Sequence, residues 1–433
     1  MNRTLDPIRP LDAAGREHML SIYRHLHAHP ELSMQEHATA DFIAAELDAL
    51  GIENFRCGGT GVVGLLRSAE RGAENDGVNG SGPVVAFRAD TDGLPIAEDT
   101  GLDYASTATG VLPDGTEVPV MHGCGHDTHV AALLTAARLL AGSPGAWSGT
   151  VVLVFQPGEE TAAGARAMVD DGLWDRAPRP AAVLGQHVMP LRAGTVTIAS
   201  GTAMAMADAL RVVVRGRQSH GSQPQHSVDP IVLASSMVTR LQTIVSRELD
   251  PQDPAVVTVG TFHAGLKENI IPDRAEFTLN IRTLTPAVRA QVLAAVERIV
   301  SAEAAASGAP EPSVERLYDF PENYNDPDAA ARVTAALDDA LGAENVRRTG
   351  PLMGSEDFGH LGSSIGVPTV YWMFGGFDGD EDLPVNHSPH FGPVPEPTLT
   401  TATRAALAAL LAWVGTKAAP RTGTESNGER SDA

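Results

Sequence analysis

The sequence contains few cysteines, few basic residues and no long apolar run, and each shortage argues against a class of protein. Two cysteines in 433 residues do not form a disulfide framework, so we expect both thiols to be free. Lysine and arginine total 31 against 54 acidic residues, a formal net charge of −23, which disfavours nucleic acid or an anionic membrane as a partner. Because no stretch approaches the roughly 18 apolar residues of a membrane span, and the start lacks a secretory signal, we expect a cytoplasmic protein with a small-molecule partner.

Apolar, β-branched runs alternate with helical patterns through much of the chain. The runs lie at residues 83–90, 150–156, 181–188 and 367–376. Such runs are typical of strands that are buried on both faces, and their alternation with helices predicts an α/β fold with a mostly parallel central sheet.

The pattern changes between residues 206 and 318, where the order becomes β-α-β-β-α with a further strand at 312–320. Strict alternation of apolar and polar residues at 275–283 indicates an antiparallel sheet with one open face. We therefore expect an inserted α+β domain at 206–318, between the two parts of a catalytic domain at 1–205 and 319–419. The polar segment 68–82 is expected to form a loop, and 420–433 a disordered tail.

Residues that can bind metal follow several of the predicted strands. They are Asp90, Asp92, Glu159, Glu160, His187 and His387. Ligands of open parallel sheets lie beyond the carboxyl ends of the strands, so these side chains are expected at one edge. Singly, each has a simpler explanation as a capping, solvated or core residue. Their joint placement favours a divalent metal site.

Cys124 and His126 lie in a glycine-rich stretch, MHGCGHDTH, before a helix expected to start near Thr128. Residues two apart do not share a helix face, so both reach one cluster only from an irregular backbone, which Gly123 and Gly125 permit. Taken alone, Cys124 is equally well explained as a buried core residue. The nearby helix start and a metal ion would favour its thiolate.

Glu159 and Glu160 are neighbours and cannot both point the same way. One can therefore bind metal while the other stays free. A free carboxylate beside a metal can take a proton from an attacking water and pass it to a leaving amine. This division of labour suits hydrolysis.

Several stretches together resemble a known family. They are RADTDGLPI, MHGCGHDTHVAALL, FQPGEETAAGARAMVDDGL, GQHVMP, SHGSQPQHSVDP, ENIIPDRAEFTLNIR, MGSEDF and NHSPHF. In this order, between about residues 20 and 415, they resemble the peptidase M20 family, in particular its aminoacylase, hippurate hydrolase and auxin-conjugate hydrolase subgroup.

The resemblance implies a zinc-exopeptidase-like catalytic domain with an inserted α+β lid domain that forms a homodimer. It also implies two divalent ions per subunit, which could be zinc, manganese or cobalt. The metal ligands carried over from the family motifs are Cys124, His126, Glu160, His187 and His387. Glu159 corresponds to the general base and acid, and Asp92 to a carboxylate that orients a ligand.

In the lid, the resemblance assigns His220 to oxyanion stabilisation, across the dimer, and Asn269 and Arg282 to the substrate's carboxylate. Two positions depart from the family pattern. Gln225 replaces a frequent histidine, with His226 one step later, and Asn280 stands where a small residue is more familiar.

The reaction implied is cleavage of the amide bond of an N-acyl amino acid. A metallo-carboxypeptidase or dipeptidase of the same fold is the alternative, and it needs an acid for the free amino group of its substrate, for which Glu356 is a candidate. A cysteine amidase with Cys124 as nucleophile and His126 as base leaves Glu160, His187 and His387 unexplained. A non-enzymatic metal-storage protein also remains open.

Overall fold

The computed structural model describes residues 4–68 and 82–416. All but the ends of the loop expected at 68–82, and the whole tail expected at 420–433, lie outside the described residues. Within the described residues, two large sheets have separate hydrophobic cores, and three two-stranded sheets accompany them.

The first part of the chain supplies most of the larger sheet. The strands of this part of the chain are β1 (Glu53–Cys57), β2 (Gly61–Arg67), β3 (Val84–Asp90), β4 (Thr109–Val111), β5 (Glu117–Pro119), β6 (Thr150–Gln156), β7 (Val183–Arg192), β8 (Val196–Ile198) and β9 (Gly201–Met204). Its helices are α1 (Ala13–Ala28), α2 (His37–Ala49), α3 (His126–Ala141), α4 (Gly164–Asp170) and α5 (Leu173–Arg176), with a 3₁₀ turn at Glu159–Thr161.

The middle part forms the smaller sheet and its helices. The strands are β10 (Met206–Arg215), β11 (Ser219–His220), β12 (Ala255–Ala264), β13 (Ile270–Ile271), β14 (Arg274–Thr283) and β15 (Ser313–Phe320). The helices are α6 (Pro230–Leu241) and α7 (Pro286–Ala306), with a 3₁₀ turn at Pro224–His226 and a π turn at Ile244–Glu248.

The last part returns to the larger sheet. It contains β16 (Asn323–Asn325), β17 (Val346–Arg348), β18 (Thr369–Phe377), α8 (Pro327–Leu341), α9 (Gly359–Ser363) and α10 (Pro395–Val414), with a 3₁₀ turn at Ala343–Asn345.

The larger sheet has the strand order β1-β2-β6-β3-β7-β18-β8-β17. Its central strands β6, β3, β7 and β18 are parallel neighbours, whereas β1, β2 and the β18–β8 pair are antiparallel. Every residue of β6 is buried, and successive residues Val151, Val152 and Leu153 belong alternately to two different cores. The prediction of a mostly parallel sheet with both faces covered is confirmed.

The smaller sheet is antiparallel throughout, in the order β12-β14-β10-β15. Helices α6 and α7 share a hydrophobic core with the apolar face of β14, to which Phe277, Leu279 and Ile281 contribute. Asn280 and Arg282 alternate with them and therefore lie on the opposite face. The predicted order of strands and helices is confirmed, while the boundaries at 206 and 318 stay a prediction.

His27 forms a buried charged group in the larger core. Its Nδ1 lies 2.6 Å from Asp127 Oδ2 and its Nε2 lies 3.0 Å from Glu98 Oε1, and all three side chains are fully buried. Burial alone would lower the pKa of His27, but the hydrogen bonds to Asp127 and Glu98 raise it to about 9. His27 is therefore a cation that joins α1 to α3.

We predict that His27→Gln destabilises the protein in a pH-dependent way. Because the pKa of His27 is raised on folding, from about 6.5 in the unfolded chain, the stabilisation is complete below pH 6.5 and declines as the pH rises through 9. The difference in unfolding free energy between wild type and variant should shrink by on the order of 3 kcal/mol between pH 6 and 10. Denaturant titrations at several pH values measure this difference.

His29→Gln is the matched control, since His29 lies near the end of the same helix and is exposed. This variant should change stability by less than about 0.5 kcal/mol at every pH. A His27→Gln effect that stays constant from pH 6 to 10 would contradict the charged group.

Candidate active site

The structure brings together five of the residues predicted from the sequence, at the carboxyl edge of the parallel strands. We call them the donor cluster; its members are Cys124, His126, Glu160, His187 and His387. Donor atoms of Cys124, His126 and His187 lie within 4.8 Å of one another, and so do those of Cys124, Glu160 and His387. Residues far apart in the chain thus form one compact set.

The cysteine loop depends on Gly125. Helix α3 begins at His126, two residues earlier than expected, and Gly125 precedes it with φ = 77°. A Cβ atom at position 125 would lie 2.5 Å from Cγ1 of Val188. Because the position needs both a left-handed backbone and space beside β7, a side chain there is not accommodated.

His387 has an unusual backbone for a residue with a side chain. Its φ is 66°, a region that costs non-glycine residues free energy and is common at functional sites. Its backbone N–H donates to the carbonyl oxygen of Gly123, 2.8 Å away. This hydrogen bond joins the loop after β18 directly to the cysteine loop, and Nε2 of His387 lies 3.4 Å from Glu160 Oε2.

Asp92 orients two members of the donor cluster. Its carbonyl oxygen and Oδ1 lie 2.9 Å and 3.2 Å from Nδ1 of His126, and its Oδ2 accepts from the backbone N–H of Glu160 at 3.0 Å. Similarly, Nδ1 of His187 donates to the carbonyl oxygen of Val188 at 2.6 Å. In both histidines the outer nitrogen is occupied and Nε2 faces the cluster, the usual arrangement for a metal-binding imidazole.

The inner atoms of the cluster fit a divalent cation. His126 Nε2 and Glu160 Oε1 are buried without a hydrogen-bond partner among the described residues, which is costly unless something else binds them. A thiol, three imidazoles and a carboxylate form a donor set that suits zinc, manganese or cobalt.

The electrostatics also call for a cation. Burial and the nearby Glu160 raise the pKa of the Cys124 thiol, so the expected thiolate depends on a bound metal ion. Hydrogen bonds to Cys124 and Glu160 raise the pKa of His387 to about 10. A bound cation would reverse both tendencies.

Glu159 lies between the donor cluster and a second group of carboxylates. A carboxylate oxygen of Glu159 lies within 4.8 Å of a ring nitrogen of His126 and a carboxylate oxygen of Glu160. A carboxylate oxygen of Glu159 also lies within 4.8 Å of carboxylate oxygens of Glu356 and Asp357. Burial raises the pKa of Glu159 well above its usual value, and the charges of Glu356, Glu160 and Asp357 raise it further. Such a carboxyl group is suited to accept and release a proton.

A buried arginine lies beneath this site and was missed at the sequence level. The guanidinium of Arg88 donates to Asp90 at 2.6 Å, Glu356 at 2.8 Å and Asp357 at 3.2 Å. Its Nε donates to Gln156 at 2.9 Å, and Tyr371 donates to Glu356 at 2.6 Å. We call these residues the Arg88 network; a charged residue inside the apolar run 83–90 was the signal that could have indicated it.

His129 was also missed. It lies one helical turn after His126, and its Nε2 accepts the backbone N–H of Val188 at 2.8 Å while its Nδ1 donates to Asp90. His129 therefore connects the Arg88 network to the strand that carries His187. The spacing of three residues from His126, which places both on one helix face, was the available signal.

A cavity of about 580 Å³ opens over the donor cluster, and Arg282 of β14 lines it together with Glu159. The other predicted lid residues lie elsewhere. His220 and Asn269 are exposed and belong to neighbouring segments, joined by the hydrogen bond from Gly221 N–H to the carbonyl oxygen of Asn269 at 2.8 Å. They do not line this cavity, so their roles stay predictions. Gln225 and His226 lie in an exposed turn.

An α/β domain that carries such a donor cluster, and that is joined to a second sheet with antiparallel strands, is typical of a hydrolase of the metallopeptidase type. Residues 86–412 match peptidase family M20/M25/M40, and the chain belongs to this family. The family resemblance found in the sequence is therefore confirmed.

Three relatives illustrate the range of this family. The chain is 36% identical to hippurate hydrolase of Campylobacter jejuni, covering 78% of this chain and 83% of the relative. It is 34% identical to thermostable carboxypeptidase 1 of Saccharolobus solfataricus, covering 82% and 85%. Its structure is similar to that of a dinuclear metal-binding M20 peptidase from Bacillus subtilis, with a TM-score of 0.73, 30% identity and coverage of 92% and 99%.

Across residues 4–68 and 82–416, no helix combines the length and apolar character that a membrane span requires.

We predict that Cys124→Ser weakens metal binding at least about tenfold, because a hydroxyl replaces a thiolate ligand. Metal content after dialysis against metal-poor buffer measures the loss. Cys57→Ser is the matched control, since Cys57 is buried in another core, where its thiol donates to the carbonyl oxygen of Met168 at 3.3 Å. Equal metal retention in the two variants would contradict a role for Cys124 as a ligand.

Proposed function

We propose that this protein is a metal-dependent amidohydrolase that cleaves N-acyl amino acids into a carboxylic acid and a free amino acid. The observation that carries the proposal is the composition of the cavity. It offers a guanidinium for a carboxylate and an apolar wall for an acyl group. The carboxylates that line it already have other partners or belong to the hydrolytic machinery.

The cationic and the apolar parts of the cavity lie on different strands of the smaller sheet. Arg282 on β14 pairs with Ala207 on β10, which in turn pairs with Phe320 on β15. Since neighbouring strands are about 4.8 Å apart, the backbones at Arg282 and Phe320 are separated by about 10 Å. This span accommodates an amino acid carboxylate at one end and an acyl group at the other.

Methionines from outside the smaller sheet continue the apolar wall. Met189, Met204 and Met373 line the cavity, and their flexible side chains adapt to apolar groups of different shape. They support a bulky acyl group, such as an aromatic one, as the preferred substrate part.

Glu356 is not available for the free amino group of a dipeptide. Its Oε1 accepts from Arg88 at 2.8 Å and from the backbone N–H of Phe358 at 3.1 Å, and its Oε2 accepts from Tyr371 at 2.6 Å. A carboxylate with these partners has little capacity left for a substrate ammonium. This favours an N-acyl amino acid over the dipeptidase or carboxypeptidase alternative.

The donor cluster would hold two divalent ions, either zinc, manganese or cobalt, with Cys124 near both and His126 and His187 on the inner side. Such ions would supply Lewis-acid polarisation of the substrate carbonyl and would lower the pKa of the attacking water. Glu159 would take the proton of this water and deliver it to the leaving amino nitrogen, since its carboxyl group is buried directly beside the donor cluster.

The positions of His220 and Asn269 support a homodimer formed through the lid. Both residues are exposed and remain outside the cavity of their own chain. The nearby edge strand β12 leaves Val256 and Phe262 exposed, as expected of a surface that a second copy covers. The dimer would then bring His220 to the partner's cavity as an oxyanion donor.

A substrate panel tests the proposal. We expect N-benzoyl and N-acetyl amino acids to be hydrolysed with kcat/KM at least roughly 100-fold above that of unblocked dipeptides, because an ammonium group would lose water against an apolar wall. A chelator should abolish the activity and added metal should restore it, whereas a cysteine amidase would survive the chelator. Dipeptides cleaved as well as blocked amino acids would support the alternative instead.

We predict that Glu159→Gln lowers kcat by about 100-fold or more while metal content stays unchanged, because proton transfer is lost and the ligands remain. Glu117→Gln, at an exposed position of β5, is the control and should leave both unchanged. Full activity of Glu159→Gln would contradict the proposed role of Glu159, whereas a wild-type protein that binds metal but cleaves no amide would favour the metal-storage reading.

A further inference from the structure

We propose that Asn280 and Ser355 are positioning residues that hold the Arg282 guanidinium ready for the substrate's α-carboxylate. The inference rests on the proposed function and adds two residues to it. It also gives a role to Asn280, one of the two positions where the sequence departs from the pattern of the family it resembles.

Two hydrogen bonds fix the Arg282 guanidinium from two sides. Its Nε donates to Asn280 Oδ1 at 2.9 Å, and its Nη1 donates to Ser355 Oγ at 2.6 Å. For Nη2, the described part of the chain provides no hydrogen-bond partner. Because Arg282 and Ser355 both line the cavity, the remaining N–H groups are free to meet a substrate there.

Arg282 also has no acidic partner within the described residues. It forms no ion pair there, and burial lowers its pKa slightly from the ordinary value of arginine. A partly desolvated guanidinium without a carboxylate is an incomplete pair, and a carboxylate is the group that its planar fork binds best.

The two supporting side chains come from different parts of the fold. Asn280 lies two residues before Arg282 on β14, so both project from the same open face of the smaller sheet. A small residue at position 280 would leave Nε of Arg282 without this acceptor. The arrangement is therefore a local property of the strand sequence NIR.

Ser355 reaches Arg282 from the larger domain. The next residue, Glu356, is fixed by Arg88 and Tyr371 in the Arg88 network. The Ser355 hydroxyl therefore belongs to a segment that these hydrogen bonds hold in place. Its hydrogen bond to Arg282 fixes the position of the guanidinium relative to the donor cluster.

Fixing the guanidinium in advance favours binding. A free arginine side chain has many rotamers, and part of this freedom is lost when it binds a carboxylate. When protein hydrogen bonds already restrict the fork, less is lost on substrate binding. Asn280 and Ser355 should therefore act on the affinity for the carboxylate more than on the chemical step.

The test compares a good N-acyl amino acid substrate with its carboxamide, in which a neutral amide replaces the α-carboxylate. We expect Asn280→Ala and Ser355→Ala each to raise KM for the carboxylate substrate roughly tenfold, with kcat changed less than about twofold. The kcat/KM for the carboxamide should stay within about twofold of wild type. Ser355→Thr, which keeps a hydroxyl, should restore KM.

Thr278→Ala is the control on the same face of β14, where the Thr278 hydroxyl contacts Thr261 instead of Arg282. Equal losses for carboxylate and carboxamide in the alanine variants, or the same loss in Thr278→Ala, would mean a merely structural role and overturn the inference. Wild-type enzyme that does not distinguish carboxylate from carboxamide would overturn it and leave the proposed function standing. Absence of cleavage of any N-acyl amino acid would overturn both.

Discussion

The guanidinium of Arg88 is the interaction on which the rest of the site depends. It is fully buried and bonded to Asp90 at the end of β3, to Gln156 at the end of β6, and to Glu356 and Asp357 after β17. Buried charges are costly without partners, so each partner constrains the others. Arg88 thereby connects three segments that are distant in sequence, and these hydrogen bonds fix the positions of the groups beneath the carboxyl edge of the parallel sheet.

At this site, the acidic side chains outnumber the basic ones. Arg88 faces three carboxylates, and Glu159 and Glu160 add further acidic groups. Burial is the main cause of the raised pKa of Glu159 and of the Cys124 thiol, and the neighbouring acidic groups raise both pKa values further. Backbone carbonyls and Asp92 hold the outer atoms of the histidines, so the inner atoms are preorganised for positive charge.

The sequence predicted the features that depend on local pattern, and the sheet and donor cluster were among them. Continuous apolar runs indicated strands buried on both faces, and the rule for their carboxyl ends selected His187 and His387, which lie in the donor cluster. Arg88 was not predicted, because its partner Glu356 lies 268 positions away and no periodicity reports such a pairing. For the same reason the buried charge of His27 escaped notice, and only Arg282 among the assigned lid residues was found at the cavity.

The unequal exposure of the donor cluster has a consequence for how ions come and go. His387 is 54% exposed at its side chain, whereas Glu160 is 10% exposed and His126 is completely buried. If two ions bind as we propose, an ion beside the exposed His387 would exchange with solvent more readily than an ion beside the buried His126. Partial depletion of metal would then affect the two positions unequally.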